Sequence, residues 1–124
     1  MHDLCIVIRR APYGTLGAAE GVRHLIGATD VGMSVCAVLV DDGVYVAKQG
    51  QDPDDTGWTS LSGALARTLG PRAVDSSAQA RVYAHRASAE TRGVDDLDLI
   101  PGVDSIDDAQ LAGLLTSAAA LLVF

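Results

Sequence analysis

Two short apolar runs separated by a helix-length segment do most to limit the fold of this chain. The first run covers Leu4 to Ile8, and the second covers Ser34 to Val40 and is followed by Asp41-Asp42-Gly43. Unbroken apolar runs of this length are typical of parallel strands that helices cover on both faces. The pattern therefore predicts a βαβ unit, and the loops that follow its strands lie at the carboxyl edge of the sheet.

The remainder of the chain continues this alternation of strands and helices. The first expected helix runs from an N-cap at Thr15 to Ile26, with Gly27 just past it, and an exposed loop follows the second strand at 48–57. A second helix with an apolar face is expected from Trp58 to Leu69, ended by Gly70-Pro71. The remaining elements are a strand at 80–84, a short helix at 88–92, a strand at 103–106, a helix that starts at a capping box from Ser105 to Asp108, and a buried final strand at 119–124. Right-handed crossovers between such strands place helices on both faces of a parallel sheet. We predict one α/β domain over residues 1–124, a flavodoxin-like three-layer sandwich with about five strands in the flavodoxin order.

The composition limits the kinds of molecule that this protein is expected to bind. Apolar residues make up 48% of the 124 residues and the mean hydropathy is +0.23, so we expect another subunit to cover part of the apolar surface. The net charge of −7 repels phosphate backbones, which argues against direct binding of nucleic acid.

Targeting signals are not evident in the sequence. The first apolar run ends at Arg9-Arg10, too early for a signal-peptide core, and no stretch approaches the length of a membrane span. We therefore expect a cytoplasmic protein without membrane contact. Cys5 and Cys36 lie inside the two apolar runs, where a thiol usually behaves as a small hydrophobic group.

A candidate crevice is formed by three loops at the carboxyl edge of the predicted sheet. Its residues are Pro12, Tyr13, Gly14, Thr15, Asp41, Asp42, Gly43, His85 and Arg86. The first loop either orients backbone N–H groups toward a ligand or is a plain strand-to-helix turn. No Walker signature follows it, which disfavours nucleotide hydrolysis, and we expect no cofactor.

Titratable residues in and near these loops allow structural and functional interpretations. Asp41 and Asp42 are adjacent, so as strand-end residues they point to opposite sides and are better explained as solvated turn residues than as an acid pair. Glu20 and His24 lie four apart on one helix face, but without a third ligand we expect a hydrogen-bonded pair and no metal. His85 is expected where a strand meets the start of a short helix, as a structural or a working histidine.

Short motifs along the whole chain resemble the DsrE/DsrF sulfur-relay family, and most closely its DsrF/TusC branch. They are Ala11-Pro12-Tyr13-Gly14-Thr15, Glu20-Gly21, Asp42-Gly43-Val44, Gly50-Gln51-Asp52-Pro53, Ala87-Ser88 with Arg92-Gly93, and Leu122-Val123-Phe124. The resemblance implies a flavodoxin-like subunit of a homo-oligomer or of a hetero-oligomer with related chains, with a place in sulfur oxidation or tRNA thiolation. It implies contact with sulfur-carrier proteins only indirectly.

The resemblance also implies a departure from the family's chemistry. Members of the DsrE/TusD type carry sulfane sulfur on a cysteine at a strand end, and His85 occupies the corresponding position here. Imidazole cannot hold transferable sulfur as a thiolate does. We therefore expect an accessory subunit without catalytic residues. One alternative is a protein that binds a small molecule or an anion through the Ala11 to Thr15 turn and His85. Another is active sulfur transfer on Cys36 or Cys5.

Overall fold

The computed structural model describes residues 2–69 and 80–124, which form a parallel sheet with helices on both faces. The strands are β1 (Leu4–Ile8), β2 (Val35–Leu39), β3 (Ala80–His85), β4 (Val103–Ile106) and β5 (Ala120–Val123), and the helices are α1 (Gly17–Asp30), α2 (Leu61–Leu69), α3 (Arg86–Thr91) and α4 (Asp108–Ser117). Short 3₁₀ helices cover Asp41–Ala47, Asp54–Thr56 and Asp96–Asp98. The α/β class predicted from the sequence is confirmed.

The strand order is β4-β3-β2-β1-β5, with all neighbours parallel. The flavodoxin order expected from the sequence, β2-β1-β3-β4-β5, is therefore wrong. In this protein the edge strand next to β1 is β5, whereas in the flavodoxin order it is β2. Three successive steps in one direction place α1, α2 and α3 on one face, and the return step from β4 to β5 places α4 on the other.

The larger core lies between the sheet and the three helices on the first face. Ile6 and Ile8 of β1 and Leu39 of β2 are fully buried there, beneath Leu25 of α1 and Leu65 of α2. Complete burial of such side chains stabilises the fold by roughly 1.5–3 kcal/mol each. This face supplies the rigid support for the carboxyl-edge loops.

The second face is thinner, because α4 alone covers it within the described residues. Cys5, Val7, Cys36 and Val38 are buried beneath α4, yet no residue of α4 is itself buried. The final strand is an exposed edge, so the buried strand expected there is wrong. The sequence of an apolar strand does not show whether the strand lies in the centre or at the edge of the sheet, because that depends on the strand order.

Helix boundaries differ from the sequence prediction in all four helices. The short helix expected at 88–92 is α3, which begins two residues earlier at Arg86 and ends at Thr91. The N-cap of α1 is Leu16 rather than Thr15, and α1 continues through Gly27 to Asp30. Trp58 lies in the loop before α2, and Gly70-Pro71 falls outside the described residues. The capping box of α4 pairs Asp107 with Gln110, because Ser105 and Ile106 still belong to β4.

Candidate functional site at the carboxyl edge of the sheet

A cavity of about 660 Å³ opens beyond the carboxyl ends of β1 and β5. It is lined by Arg9, Arg10, Ala11, Tyr13, Thr15, Asp41, Asp42, Arg92, Val123 and Phe124. Its volume is within the range of roughly 300–1,000 Å³ that small-molecule sites occupy. The cavity is therefore large enough for an organic ligand.

Two of the cavity's arginines pair with the two aspartates. Arg9 Nε lies 3.4 Å from Asp41 Oδ2, and Arg92 Nε donates to Asp42 Oδ1 at 2.8 Å. The Arg9–Asp41 pair is more than half exposed on both sides, so its contribution to stability is small, whereas in the second pair Asp42 is exposed and Arg92 is largely buried. The two aspartates belong to a 3₁₀ turn rather than to a strand end, and each is paired with a different arginine rather than simply solvated.

Arg10 differs from these two arginines because it has no acidic or hydrogen-bonding partner within residues 2–69 and 80–124. Its side chain lies against the first turn of α1, where a Cβ on Gly17 would come within 2.7 Å of Arg10 Cδ. Leu16, the N-cap of that helix, offers no side-chain acceptor to the first N–H groups. An unpaired guanidinium and an uncapped helix N-terminus therefore lie side by side.

Tyr13 connects the cavity to a second, apolar pocket. Its ring packs edge-to-face on Trp58 at a centroid distance of 6.4 Å, and its hydroxyl is buried without a hydrogen-bond partner among the described residues. Pro12 and the exposed Leu16 line the second pocket together with Trp58. The Ala11 to Thr15 turn is thus shared between two depressions.

Gly43 has a structural reason to be glycine. A Cβ at this position would overlap the carbonyl oxygen of Ile8 and lie 2.7 Å from the Ile8 carbonyl carbon. The 3₁₀ turn therefore packs directly on the backbone at the end of β1. This close approach holds Asp41 and Asp42 at the rim of the cavity.

His85 lies away from the cavity lining, with both ring nitrogens in hydrogen bonds. Nε2 lies 2.6 Å from Asp108 Oδ1, and Nδ1 lies 2.7 Å from Ser88 Oγ. Since the Asp108 carboxylate can only accept, Nε2 carries the proton of that hydrogen bond, and in the neutral ring Nδ1 accepts from the Ser88 hydroxyl. Ser88 Oγ in turn accepts from the Asp41 N–H at 3.0 Å. His85 joins the end of β3 to α3 and to α4.

Arg86 strengthens the same junction. Its Nε donates to Ser105 Oγ at 3.3 Å, which bridges the start of α3 and the end of β4. The helices α3 and α4 leave these neighbouring strands toward opposite faces, and such divergence produces a crevice in an open α/β sheet. In this protein the side chains at that crevice, His85 and Arg86, form hydrogen bonds with neighbouring protein side chains.

The two cysteines are register neighbours on β1 and β2, and both are fully buried. A hydrogen bond with the Cys5 thiol and burial beneath α4 both raise the pKa of Cys36 above its ordinary value. The same hydrogen bond lowers the pKa of the Cys5 thiol. Both thiols are nevertheless inaccessible, and a thiol that a partner cannot reach is a poor nucleophile in either protonation state.

The Glu20 and His24 side chains do not bind each other, contrary to the pair expected from their spacing. Arg23 NH2 donates to Glu20 Oε2 at 2.7 Å, and this bond lowers the pKa of the Glu20 carboxyl. His24 Nδ1 bonds instead to the Glu20 backbone oxygen at 2.7 Å. The carboxylate pairs with the permanently charged guanidinium, which forms a charge-assisted hydrogen bond.

The predicted crevice residues are therefore divided among several places. The cavity is lined by Tyr13, Thr15, Asp41 and Asp42, whereas Pro12 faces the second pocket and Gly43 is packed on β1. Gly14 is an exposed turn residue with φ of 90°, and His85 and Arg86 belong to the junction between β3 and β4. The residues that were missed are Arg9, Arg10, Arg92, Val123 and Phe124, of which the Arg9-Arg10 pair directly after β1 was visible in the sequence.

Comparison with known proteins agrees with this architecture. The profile of the DsrE/DsrF-like family matches residues 2–124. The chain belongs to the DsrE/DsrF-like family. It is 32% identical to the intracellular sulfur oxidation protein DsrF of Allochromatium vinosum, over 94% of this chain and 91% of that protein. It is 30% identical to a TusC homologue of Vibrio vulnificus, over the full length of both.

Solved structures of lower sequence identity share the fold. The crystal structure of the ychN protein from Escherichia coli has a TM-score of 0.81 at 24% identity, and 100% of both chains is covered. A Methanobacterium thermoautotrophicum protein of unknown function has a TM-score of 0.66 at 17% identity, over 98% of this chain. In the described ranges of this family member, no helix combines the length and apolar character needed to cross a bilayer.

Proposed function

We propose that this protein is an accessory subunit of a cytoplasmic sulfur-relay complex, in which a related chain supplies the sulfur-carrying cysteine. The observation that carries the proposal is the burial of both cysteines of the sequence in mid-strand beneath α4. Sulfur relay needs a thiolate that another protein can reach. Neither thiol meets that requirement, so the chain's contribution is to shape the assembly.

His85 supports this proposal from the position where the resemblance expects a sulfur carrier. Its ring nitrogens bond to Ser88 and to Asp108, which leaves neither free for a substrate. The side chain is only 15% exposed. A histidine held in this way positions α3 and α4 against the sheet, which is a structural role.

The surface of α4 and β5 supports assembly with another subunit. From Ala109 to Phe124 the chain has no charged side chain, although the whole chain has a net charge of −7. Leu121 and Val123 on β5 are 45% and 60% exposed. An exposed apolar edge strand is a pairing hazard for a monomer, and coverage by a related subunit removes it. We refer to this surface as the α4–β5 face.

The thiol prediction is tested by exposing the purified protein to a persulfide donor and measuring its intact mass. We expect an unchanged mass, while a cysteine-bearing partner from the same host gains sulfur. In the reconstituted complex, the Cys5→Ala and Cys36→Ala double variant should transfer sulfur at the wild-type rate. A stable added sulfur on Cys5 or Cys36 would contradict the accessory role.

The assembly prediction is tested by replacing a leucine on the α4–β5 face. Leu121→Asp should dissociate the complex in sedimentation experiments, because a carboxylate cannot be desolvated cheaply at an apolar contact. Leu97→Asp is the matched control, since Leu97 is 91% exposed on another part of the surface. Equal association of the two variants, or a wild-type protein that is monomeric and co-purifies with no related chain, would refute this assignment.

A further inference from the structure

We propose that two copies of this chain pair through β5, with the two strands antiparallel, so that the sheets of both copies join into one. The proposal deepens the assembly role given above and rests on it only in taking the α4–β5 face as an interaction surface. The partner at the β5 edge is a second copy of this chain. The outer surface of α4 stays available to a cysteine-bearing relative.

The two edges of the sheet differ in their protection against pairing. The strand β4 at one edge carries the charged residue Asp104 within the strand, whereas β5 at the other edge contains neither a charged residue nor a proline. Charged side chains and prolines are the usual means of keeping an edge strand from pairing with another chain. Because β5 lacks both and every one of its residues is exposed, β5 is the edge that is open to a further strand.

The hydrogen bonds between β5 and β1 show which backbone groups of β5 face the open edge. The Ala120 N–H donates to the Asp3 carbonyl oxygen at 3.1 Å, and the Phe124 N–H donates to the Val7 carbonyl oxygen at 2.8 Å. Backbone groups of successive residues in a strand point to alternate sides, so those of Leu121 and Val123 point away from β1. Residues 2–69 and 80–124 supply no further strand on that side.

These outward groups are self-complementary about Leu122. In an antiparallel pair with two-fold symmetry centred on Leu122, Leu121 of each copy lies opposite Val123 of the other. Opposed residues whose N–H and C=O groups face each other exchange both backbone hydrogen bonds. Leu122 then faces its own counterpart in a pair without hydrogen bonds. The groups that β1 leaves free are therefore the ones that a second β5 needs.

The side chains and charges of β5 fit the same pairing. Leu121 and Val123 lie on the face of the sheet that α4 covers, because their register partners Cys5 and Val7 are buried on that face. In the pair, each exposed Leu121 lies beside Val123 of the other copy, which makes an apolar contact between the strands. Two copies with a net charge of −7 repel each other, but the segment from Ala109 to Phe124 brings no charged side chain to the contact.

Disulfide cross-linking of the isolated full-length chain tests the register. With oxidised glutathione as the oxidant, Leu122→Cys should give a covalent dimer on a non-reducing gel. The Cα atoms of opposed residues in a pair without hydrogen bonds lie about 4.5 Å apart, within the range of about 4.4–6.8 Å that a disulfide spans. Leu121→Cys is the matched control and should lose most of this product, because Val123 rather than a second thiol lies opposite it. The wild type should stay monomeric on the gel because Cys5 and Cys36 are buried.

A proline variant tests whether the edge itself is used. Val123→Pro removes an outward N–H but none of the hydrogen bonds to β1, and proline is tolerated on an edge strand where the N–H faces solvent. In sedimentation velocity over a concentration series, the wild type should shift from monomer to dimer, and Val123→Pro should lose this shift. Val123→Ala is the matched control, because it keeps the N–H and should still form the dimer. Thermal unfolding followed by circular dichroism shows that each variant is folded.

Several outcomes would overturn the proposal. These are equal cross-linking of Leu121→Cys and Leu122→Cys, a Val123→Pro dimer as stable as that of the wild type, or a wild-type chain that stays monomeric at every concentration. A monomer that gains a partner only when the cysteine-bearing chain is added would assign the β5 edge to that chain instead. Sulfur transfer and thiol reactivity are measured separately from this dimer. Failure of the β5 pairing and failure of the accessory role are therefore distinguished.

Discussion

Gly43→Ala should be among the most destabilising single substitutions at the carboxyl edge. The added methyl group would overlap the carbonyl oxygen of Ile8, which already accepts a hydrogen bond from the Val40 N–H at 3.0 Å. Backbone atoms cannot move aside as the end of a flexible side chain can. The 3₁₀ turn must therefore shift away from β1, and the hydrogen bond between Ile8 and Val40 lengthens or breaks.

The magnitude of the Gly43→Ala effect follows from two contributions to the free energy of unfolding. Overpacking costs about 1–3 kcal/mol, and loss of one backbone hydrogen bond costs about 1 kcal/mol. We expect a loss of about 2–4 kcal/mol, which lowers the melting temperature by roughly 8–16 °C in a domain of this size. Urea unfolding followed by circular dichroism measures this difference directly.

Gly27→Ala is the matched control for this substitution. No atom lies within 4 Å of a Cβ at Gly27, which is in the interior of α1. Because alanine loses less backbone entropy than glycine in a helix, we expect a gain of about 0.5–1 kcal/mol. If Gly43→Ala unfolds within about 0.5 kcal/mol of wild type, the scale expected of a surface change, the close packing of this turn on β1 is refuted.

Three other substitutions test separate parts of the structure. Leu65→Ala leaves a cavity beneath α2, where the side chain is fully buried, and should lower the unfolding free energy by about 2–5 kcal/mol in urea titrations. Asp107→Ala removes the α4 capping box and should cost about 1 kcal/mol by the same assay, and an unchanged midpoint would contradict the cap. Burial, followed by the proximity of Cys36, raises the pKa of Tyr83, so its phenol should ionise above the ordinary range near 10 in a spectrophotometric titration. Tyr83→Phe should remove this late phase, and an unaltered titration curve would show that the assignment is wrong.

Local sequence patterns were sufficient to predict the elements that depend mainly on residues close to one another in the chain. The runs at Leu4–Ile8 and Val103–Ile106 appear as β1 and β4 with the bounds expected. His85 lies, as predicted, where β3 meets α3. These elements could be predicted because apolar runs and turn residues determine the backbone conformation only of residues within a few positions in the sequence.

Features that depend on distant residues could not be predicted in this way. Several strand orders are compatible with right-handed crossovers. The local sequence therefore did not predict that the last strand lies at the edge beside β1, where Leu121 and Val123 are exposed. The cavity combines Arg9 and Arg10 with Arg92 and Phe124, which meet only because β5 lies beside β1. The Arg9-Arg10 pair at the end of a predicted strand was the available signal for it.

The proposed accessory role requires that no partner protein can reach Cys5 or Cys36. The most direct measurement counts reactive thiols with a chromogenic disulfide reagent, first in the native protein and then in denaturant. We predict no fast reaction in the native state and reaction of both cysteines after unfolding, because Cys5 and Cys36 are 0% exposed. Reaction of either cysteine in the native protein at the rate of a free thiol would contradict the account.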